Sequence, residues 1–426
     1  MKKFLAMMMV AILTLGVLAA CGPQRDTNEG TNNGGEGTTT EGTDKPESLA
    51  IWVNDQDEQS AALEQILKAY EEETGIEVKM TKMSMLDQLD ALELDAAAGR
   101  GPDVFYQPHD RLGDMAIKGI AAPVDLGDDA NLYSETAINA LTFDGEVYGV
   151  PQVIETYGIF YNKDLVSEEE IKTIEGLMEV AEAQTDAANN KFGFVMNATD
   201  FYFTYPFLSG YGGYVFEITE DGFNSANIGL DNEGAVKGGE LIQTWYANDY
   251  MNRSITDDFM NDQFQNGNIA VVLTGPWRIA QYKEALGDKL GSTTLPELDG
   301  KVAPSFVGVK AWFVNAYSKN QEWAVDLMKF ITKHENAMKY YEMAGEMPAL
   351  QTALESDEIV NDEIMAAFAE QTQYGQPMPN IPQMSQVWEP VANALGFIAD
   401  GDDPQEVLEE AVQQIKDRIQ ASGGGN

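Results

Sequence analysis

Few residues in this chain combine a type and a spacing that could do chemistry, and they cluster at the ends of hydrophobic runs. Asn54 and Asp57 follow the first of these runs, and His109, Asp110 and Arg111 follow the third. A third candidate is the stretch MPNIPQMSQVW, Met378 to Trp388. There Pro379 and Pro382 bias the residues before them toward extended backbone and delay the next helix, placing Trp388 in its early turns. Carboxylates, amides and a guanidinium bind hydroxyls, and a flat aromatic ring can cover the C–H face of a sugar. By residue type alone Trp388 reads first as core, because large aromatics are mostly buried.

Templates for bond-breaking chemistry mostly fail. His109 and His334 are the only histidines, no G-x-S-x-G elbow occurs, and no P-loop is present. The acidic loop from Asn54 has Gln59 where a calcium loop needs glycine. A lone cysteine, Cys21, excludes both an internal disulfide and a thiolate metal cluster. No catalytic residue, metal or cofactor is therefore assigned. A pair of glycosidase carboxylates stays open on residue type, but with 70 Asp and Glu any such pair is weak evidence. The net charge of −44 repels phosphates and argues against nucleic acid as a partner.

The elements that must position these residues alternate. SLAIWVN reads as a strand; Leu63, Ile66, Leu67 and Tyr70 recur at helical spacing up to Gly75; IEVKMTKM reads as the next strand. A helix over Met85 to Ala98 leads through Gly101-Pro102 into PDVFYQ. This order predicts an α/β fold with parallel strands wrapped by helices, and ligands in such sheets sit beyond strand C-termini. Further strands are expected at Gly158 to Tyr161, Lys191 to Met196, Asn268 to Leu273 and Phe306 to Val314, with a hairpin at Asp144-Gly145. Helices near Asn320 to Thr332, Asn361 to Gln371, Ser385 to Ala399 and Pro404 to Gln420 complete the chain. A body running from Ser48 to Gln420 is too long for one compact core and suggests two domains.

Ahead of that body, Lys2 and Lys3 precede an apolar run ending in Leu18-Ala19-Ala20-Cys21, a secretory signal over residues 1–20. LAAC resembles a bacterial lipoprotein cleavage box, which implies a lipid (palmitate) on Cys21. Residues 21–47 are rich in Gly, Thr, Asn, Glu and Asp and read as a flexible tether, and residues 421–426 read as a disordered tail.

Six separated motifs carry a broad resemblance. IWVN (Ile51 to Asn54), GPDVFYQPHDRLG (Gly101 to Gly113), YNKDL (Tyr161 to Leu165), TGPW (Thr274 to Trp277), FVGV (Phe306 to Val309) and MPNIPQMSQVW resemble, in the same order, segments of maltodextrin-binding proteins, the sugar-capturing subunits of bacterial importers. The resemblance implies a type II periplasmic-binding-protein fold of two lobes joined by crossing strands, which closes on sugar. It divides the chain into a first lobe of 48–154 plus 309–358 and a second of 155–308 plus 359–420. It also implies roles: Asp110 and Arg111 as a hydroxyl-binding pair, Glu155 as a carboxylate beside the hinge, Asp200, Phe201 and Tyr202 as the acid and stacking aromatics of the second lobe, and Trp277 and Trp388 as aromatic plates.

Asn54, Asp57, Gln107 and Met378 complete the implied contact set. Gln107 stands where well-known members carry tryptophan, the loop after Asn54 offers Asp57 and Glu58 where they carry lysine, and Ala392 replaces an arginine one turn beyond the last tryptophan. The implied partners are an α-glucan oligosaccharide, linear or cyclic, and the membrane subunits of an ABC importer. The implied setting is the outer face of the cell membrane, where the protein is held by lipid alone and is expected to be a monomer.

Overall fold

The computed structural model describes residues 44–95, 100–219 and 222–423. The expected signal, Cys21 and most of the tether lie outside these residues. The folded body begins before Ser48: Lys45 Nζ donates to the Thr74 carbonyl, and the Glu47 carbonyl accepts from the Glu77 amide at 3.1 Å. At the other end Ala421 closes the last helix and the Ser422 amide still bonds Arg418 O at 2.9 Å. Residues 421–423 thus continue from the last helix, and residues 424–426 of the expected tail lie outside the described residues.

Among the described residues nine of the strands bear on the site: β1 (Ser48–Val53), β2 (Glu77–Lys82), β3 (Val104–Pro108), β4 (Gly149–Glu155), β5 (Gly158–Asn162), β6 (Phe192–Val195), β7 (Ile269–Thr274), β8 (Leu290–Thr293) and β9 (Phe306–Asn315). In the first sheet β1 runs parallel to β2 and β3, while β9 lies antiparallel to β3 on one edge and to β4 on the other. The second sheet has the order β8-β5-β7-β6. Strand β4 is absent from the sequence reading because Pro151 lies inside it. The structure accommodates this proline where the β4–β9 register slips between Lys310 and Ala311, so the missing N–H falls at a bulge.

The helices that bear on the site are α1 (Asp57–Thr74), α2 (Met85–Asp95), α3 (Phe201–Ser209), α4 (Glu233–Ala247), α5 (Ile279–Leu286), α6 (Gln321–Thr332), α7 (His334–Ala344), α8 (Glu363–Gln371), α9 (Trp388–Asp400) and α10 (Pro404–Ala421). Helix α1 buries Leu63, Ile66, Leu67 and Tyr70 and stops at Gly75, whose φ of 70° is left-handed backbone that glycine adopts without strain. Helices α6 and α7 pack with α1 over the first sheet, and α9 and α10 pack with α4 on the second. The apolar core is less divided than two independent domains require. One cluster runs from the first sheet through Ile279, Met365 and Phe368 to one face of the second sheet, and the other fills the opposite face beneath α9 and α10.

Three segments meet side by side between the sheets and are stitched together, and two of them, the one leaving β4 and the one entering β9, pass from one sheet to the other. After Glu155, Thr156 Oγ1 donates to Phe306 O at 2.9 Å and Tyr157 Oη accepts from the Phe306 amide at 3.1 Å. The third segment joins by the Gln376 amide to Ser305 O at 2.8 Å and the Met378 amide to Val307 O at 3.2 Å. Backbone polar groups at such a crossing are shielded from water and must find partners within the protein.

Candidate functional site

The crossing gathers residues from both sheets. Beyond β3, Pro108 ends the strand and a single 3-10 turn of His109, Asp110 and Arg111 follows. Trp388, the first residue of α9, donates its indole N–H to Asp110 Oδ2 at 3.1 Å, and Arg111 Nε lies 3.5 Å from the same oxygen. The Trp388 ring meets Phe201 and Phe306 edge-on, with centroids 5.7 and 6.3 Å apart. Tyr202 lies nearly parallel to Phe306 and edge-on to Tyr157. Its hydroxyl is buried with no hydrogen-bond partner in the protein, an arrangement that costs stability unless a ligand or water supplies the bond.

Next to these sits a buried ionic group. Glu155, the last residue of β4, is 2.5 Å from Lys310 Nζ of β9, and Lys310 also bonds Glu346, which accepts from Tyr340 Oη at 2.9 Å. Burial pushes the Glu155 carboxyl up to about 7, with Lys310 pulling it down and the negative charges of Glu346 and Asp110 adding to the rise. Lys310 Nζ lies 5.0 Å from the centre of the Trp277 ring, which stands on a 3-10 turn directly after β7. Burial likewise raises the carboxyl of Asp200, which caps α3 by accepting the Tyr202 amide at 2.9 Å.

Asp110, Arg111, Glu155, Tyr202, Trp277 and Trp388 thus share one neighbourhood. Four of the expected contacts do other work. Asn54 has both ends of its amide engaged, to Gln59 Oε1 at 2.8 Å and to the Met85 amide at 3.0 Å, and Gln107 holds the Met85 carbonyl. These two buried amides hold the first residue of α2, Asn54 by accepting the Met85 amide and Gln107 by donating to the Met85 carbonyl. Phe201 is 1 % exposed and packs against Phe306, so it backs the wall that Tyr202 presents. The Met378 side chain is also core. Asp57 is exposed in the first turn of α1, and its neighbour Glu58 accepts from Gln281 of α5 at 3.0 Å. Lys310 and Glu346 escaped the sequence reading, since a lysine inside FVGVKAWFV gives no hint of partners 155 and 36 residues away in the chain.

His109 is the pin of the arrangement. Its Nδ1 accepts the Val309 amide at 3.0 Å, which leaves Nε2–H to donate to Met378 O at 2.9 Å. The ring is therefore neutral, and burial holds its pKa below the usual value. Because the folded form resists the proton that the unfolded chain accepts, the contribution of His109 to stability falls as pH drops through about 6.5. His109→Gln is expected to lose less stability than the parent between pH 7.5 and 5.5, read as urea midpoints. An equal loss in both proteins is incompatible with this assignment.

A site of aromatic plates and hydrogen-bonding carboxylates between two sheets, beside the segments that cross from one to the other, fits a receptor for small solutes. Residues 65–394 match the bacterial extracellular solute-binding protein family. The chain belongs to that family. A galactooligosaccharide-binding protein of Bacillus subtilis (strain 168) is 34 % identical over 100 % of this chain and 99 % of its own length. A maltodextrin-binding protein of the same organism is 32 % identical over 98 % of each chain. Among solved structures, a Streptococcus pneumoniae protein in complex with maltopentaose superposes with a TM-score of 0.79 at 33 % identity, covering 87 % of this chain and 100 % of that one. This solute-binding protein accordingly has the two-lobed type II fold. Among its described residues no helix is long and apolar enough to cross a membrane, and no group of three or more His, Cys, Asp or Glu could hold a metal ion.

Proposed function

We propose that this protein captures maltodextrin-type α-glucan oligosaccharides outside the cell and delivers them unaltered to an ABC importer, tethered to the membrane through a lipid on Cys21. The observation that carries the reading is the convergence of Trp388, Tyr202 and Trp277 with Asp110, Arg111 and Glu155 at the crossing between the sheets. The aromatics offer plates for sugar faces, and the charged groups offer acceptors and donors for hydroxyls. Asp200, within its capped turn, joins them from the second lobe. The lobes divide at the crossing, as 48–154 plus 309–358 and 155–308 plus 359–420, and a sugar touching both favours the closed arrangement by its differential contacts. No bond is broken, no cofactor takes part, and the protein acts as a monomer.

A second reading, galactooligosaccharides or cyclodextrins in place of linear α-glucans, is favoured by the 34 % identical relative and by the replacements at Gln107 and Ala392. Calorimetric titration with maltotriose, longer maltodextrins, cyclodextrins and galactooligosaccharides separates the cases. Saturable one-to-one binding of maltodextrins, recovered intact, is expected. Heat from galactooligosaccharides or cyclodextrins alone selects the second reading, and release of reducing sugar overturns the binding role.

A further inference from the structure

Lys310 is a lysine where strand logic calls for an apolar residue. It sits inside β9, the longest strand among the described residues, paired with Pro108 on one side and Val153 on the other, and is 3 % exposed. Burying an ammonium is costly unless charge and hydrogen bonds compensate it, and one carboxylate suffices for that. Here there are two, Glu155 and Glu346, so the buried group carries an excess of acid over base. Glu346 is fully buried and tied to Tyr340, which fixes it as the structural partner. Glu155 is the other kind of partner. It is close enough to feel the charge of Asp110 in the first sheet's turn and to raise Tyr202 of α3, and Lys310 beside it lies 5.0 Å from the centre of the Trp277 ring.

We propose that Lys310 is a specificity-determining residue of the cleft: with Glu155 it presents one donor and one acceptor to a single sugar hydroxyl lying against Trp277, and the arrival of that hydroxyl expels a proton from the Glu155–Lys310–Glu346 group. This rests on the reading of the site as a sugar cleft. The remaining titratable groups around it are Tyr106 on β3 and Tyr340 on α7, both held neutral by burial, with Arg111 beyond Asp110. In the sugar-free protein burial and the neighbouring acids hold the Glu155 carboxyl up, to about 7, so near neutrality part of the population carries a proton there that offsets the excess negative charge. A hydroxyl donating to Glu155 favours its carboxylate, so the carboxyl proton passes to solvent and the ammonium turns one N–H toward the hydroxyl oxygen. The sign follows: binding strengthens as pH rises through neutrality, and sugars that lack or invert that hydroxyl lose both bonds at once.

Two substitutions shift the group in opposite directions. Glu346→Gln removes a negative neighbour, so Glu155 gives up its proton at lower pH; Lys310→Met removes the positive one, so Glu155 keeps its proton to higher pH. The test is calorimetry with maltotriose and with a galactooligosaccharide at pH 7 in two buffers of different ionisation heat, which counts protons exchanged. It is paired with carbon-13 NMR of the Glu155 carboxyl in the sugar-free protein. Expected are proton release by the parent, less release by Glu346→Gln, and a tenfold or greater loss of affinity in Lys310→Met, with the NMR midpoint lower in the first variant and higher in the second. Binding without proton exchange, or midpoints that do not move apart, overturns the proposal even if sugar binds. Heat from neither sugar, with the midpoints shifting as stated, overturns the sugar reading and the hydroxyl-reading role with it.

Discussion

Trp388→Ala is expected to weaken oligosaccharide binding tenfold or more. Tenfold corresponds to about 1.4 kcal/mol, and two independent losses each approach that figure. A stacked aromatic contributes roughly 0.5–1.5 kcal/mol beyond the area it buries. The indole N–H to Asp110 at 3.1 Å also disappears, releasing a 4 % exposed carboxylate whose orientation it sets. Trp388→Phe separates the terms, since it keeps a ring against Phe201 and Phe306 and loses only the N–H; its affinity should fall between those of the parent and the alanine variant. Because α9 begins at this residue, thermal unfolding must accompany the titration. Undiminished affinity in a folded Trp388→Ala protein removes Trp388 from the site.

Gly113→Ala is expected to cost about 1–3 kcal/mol of stability, the range for forcing atoms into packed space, and to lower affinity as well. A Cβ there falls 2.5 Å from Pro382 N and Cδ and 2.8 Å from Asn380 O. The loop that meets it cannot easily retreat. The Gly113 amide donates to Asn380 O at 3.0 Å, Asn380 Nδ2 is shared between Ala140 O and Thr142 O, each at 3.1 Å, and His109 grips Met378 O. Six residues after Pro382 comes Trp388, so a displaced loop should carry the plate with it. Urea unfolding and the same sugar titration report the two effects; a parent-like midpoint with parent-like affinity shows that the loop yields freely and is no strut.

How much of this was legible in the chain depends on the range of the interaction. Leu63, Ile66, Leu67 and Tyr70 announce α1 because helical periodicity is local, and Gly75 ends it through its own backbone freedom. Asp144-Gly145 marks its hairpin in the same way, with both residues at positive φ. The proline loop before Trp388 is likewise local chemistry, and Trp388 stands as the first residue of its helix. Strand β4 was hidden by Pro151, since only the partner strand β9 supplies the bulge that accepts it.

Motif order supplied the candidate set without ranking it. Asn54 and Gln107 are amides able to bind hydroxyls, yet both are used to hold the Met85 backbone, and that is decided by where α2 starts relative to β1 and β3. Phe201 and Tyr202 are adjacent aromatics of similar promise. Helix α3 turns the first into the core and sets the second against Phe306 and Tyr157 with its hydroxyl unpartnered within the protein.

By itself, then, the sequence determined what nearest-neighbour physics controls: the alternation of strands and helices, the caps and turns, the poverty of catalytic groups, and the supply of aromatics and carboxylates for a sugar cleft. Only the tertiary structure decided which of those side chains meet. It brought Lys310 to Glu155 and Glu346, made His109 the neutral pin between β9 and the proline loop, and set Trp388 on Asp110. The charge state and direction of each group follow from partners tens to hundreds of residues away, because burial and Coulomb interaction act through space and leave no periodic trace along the chain.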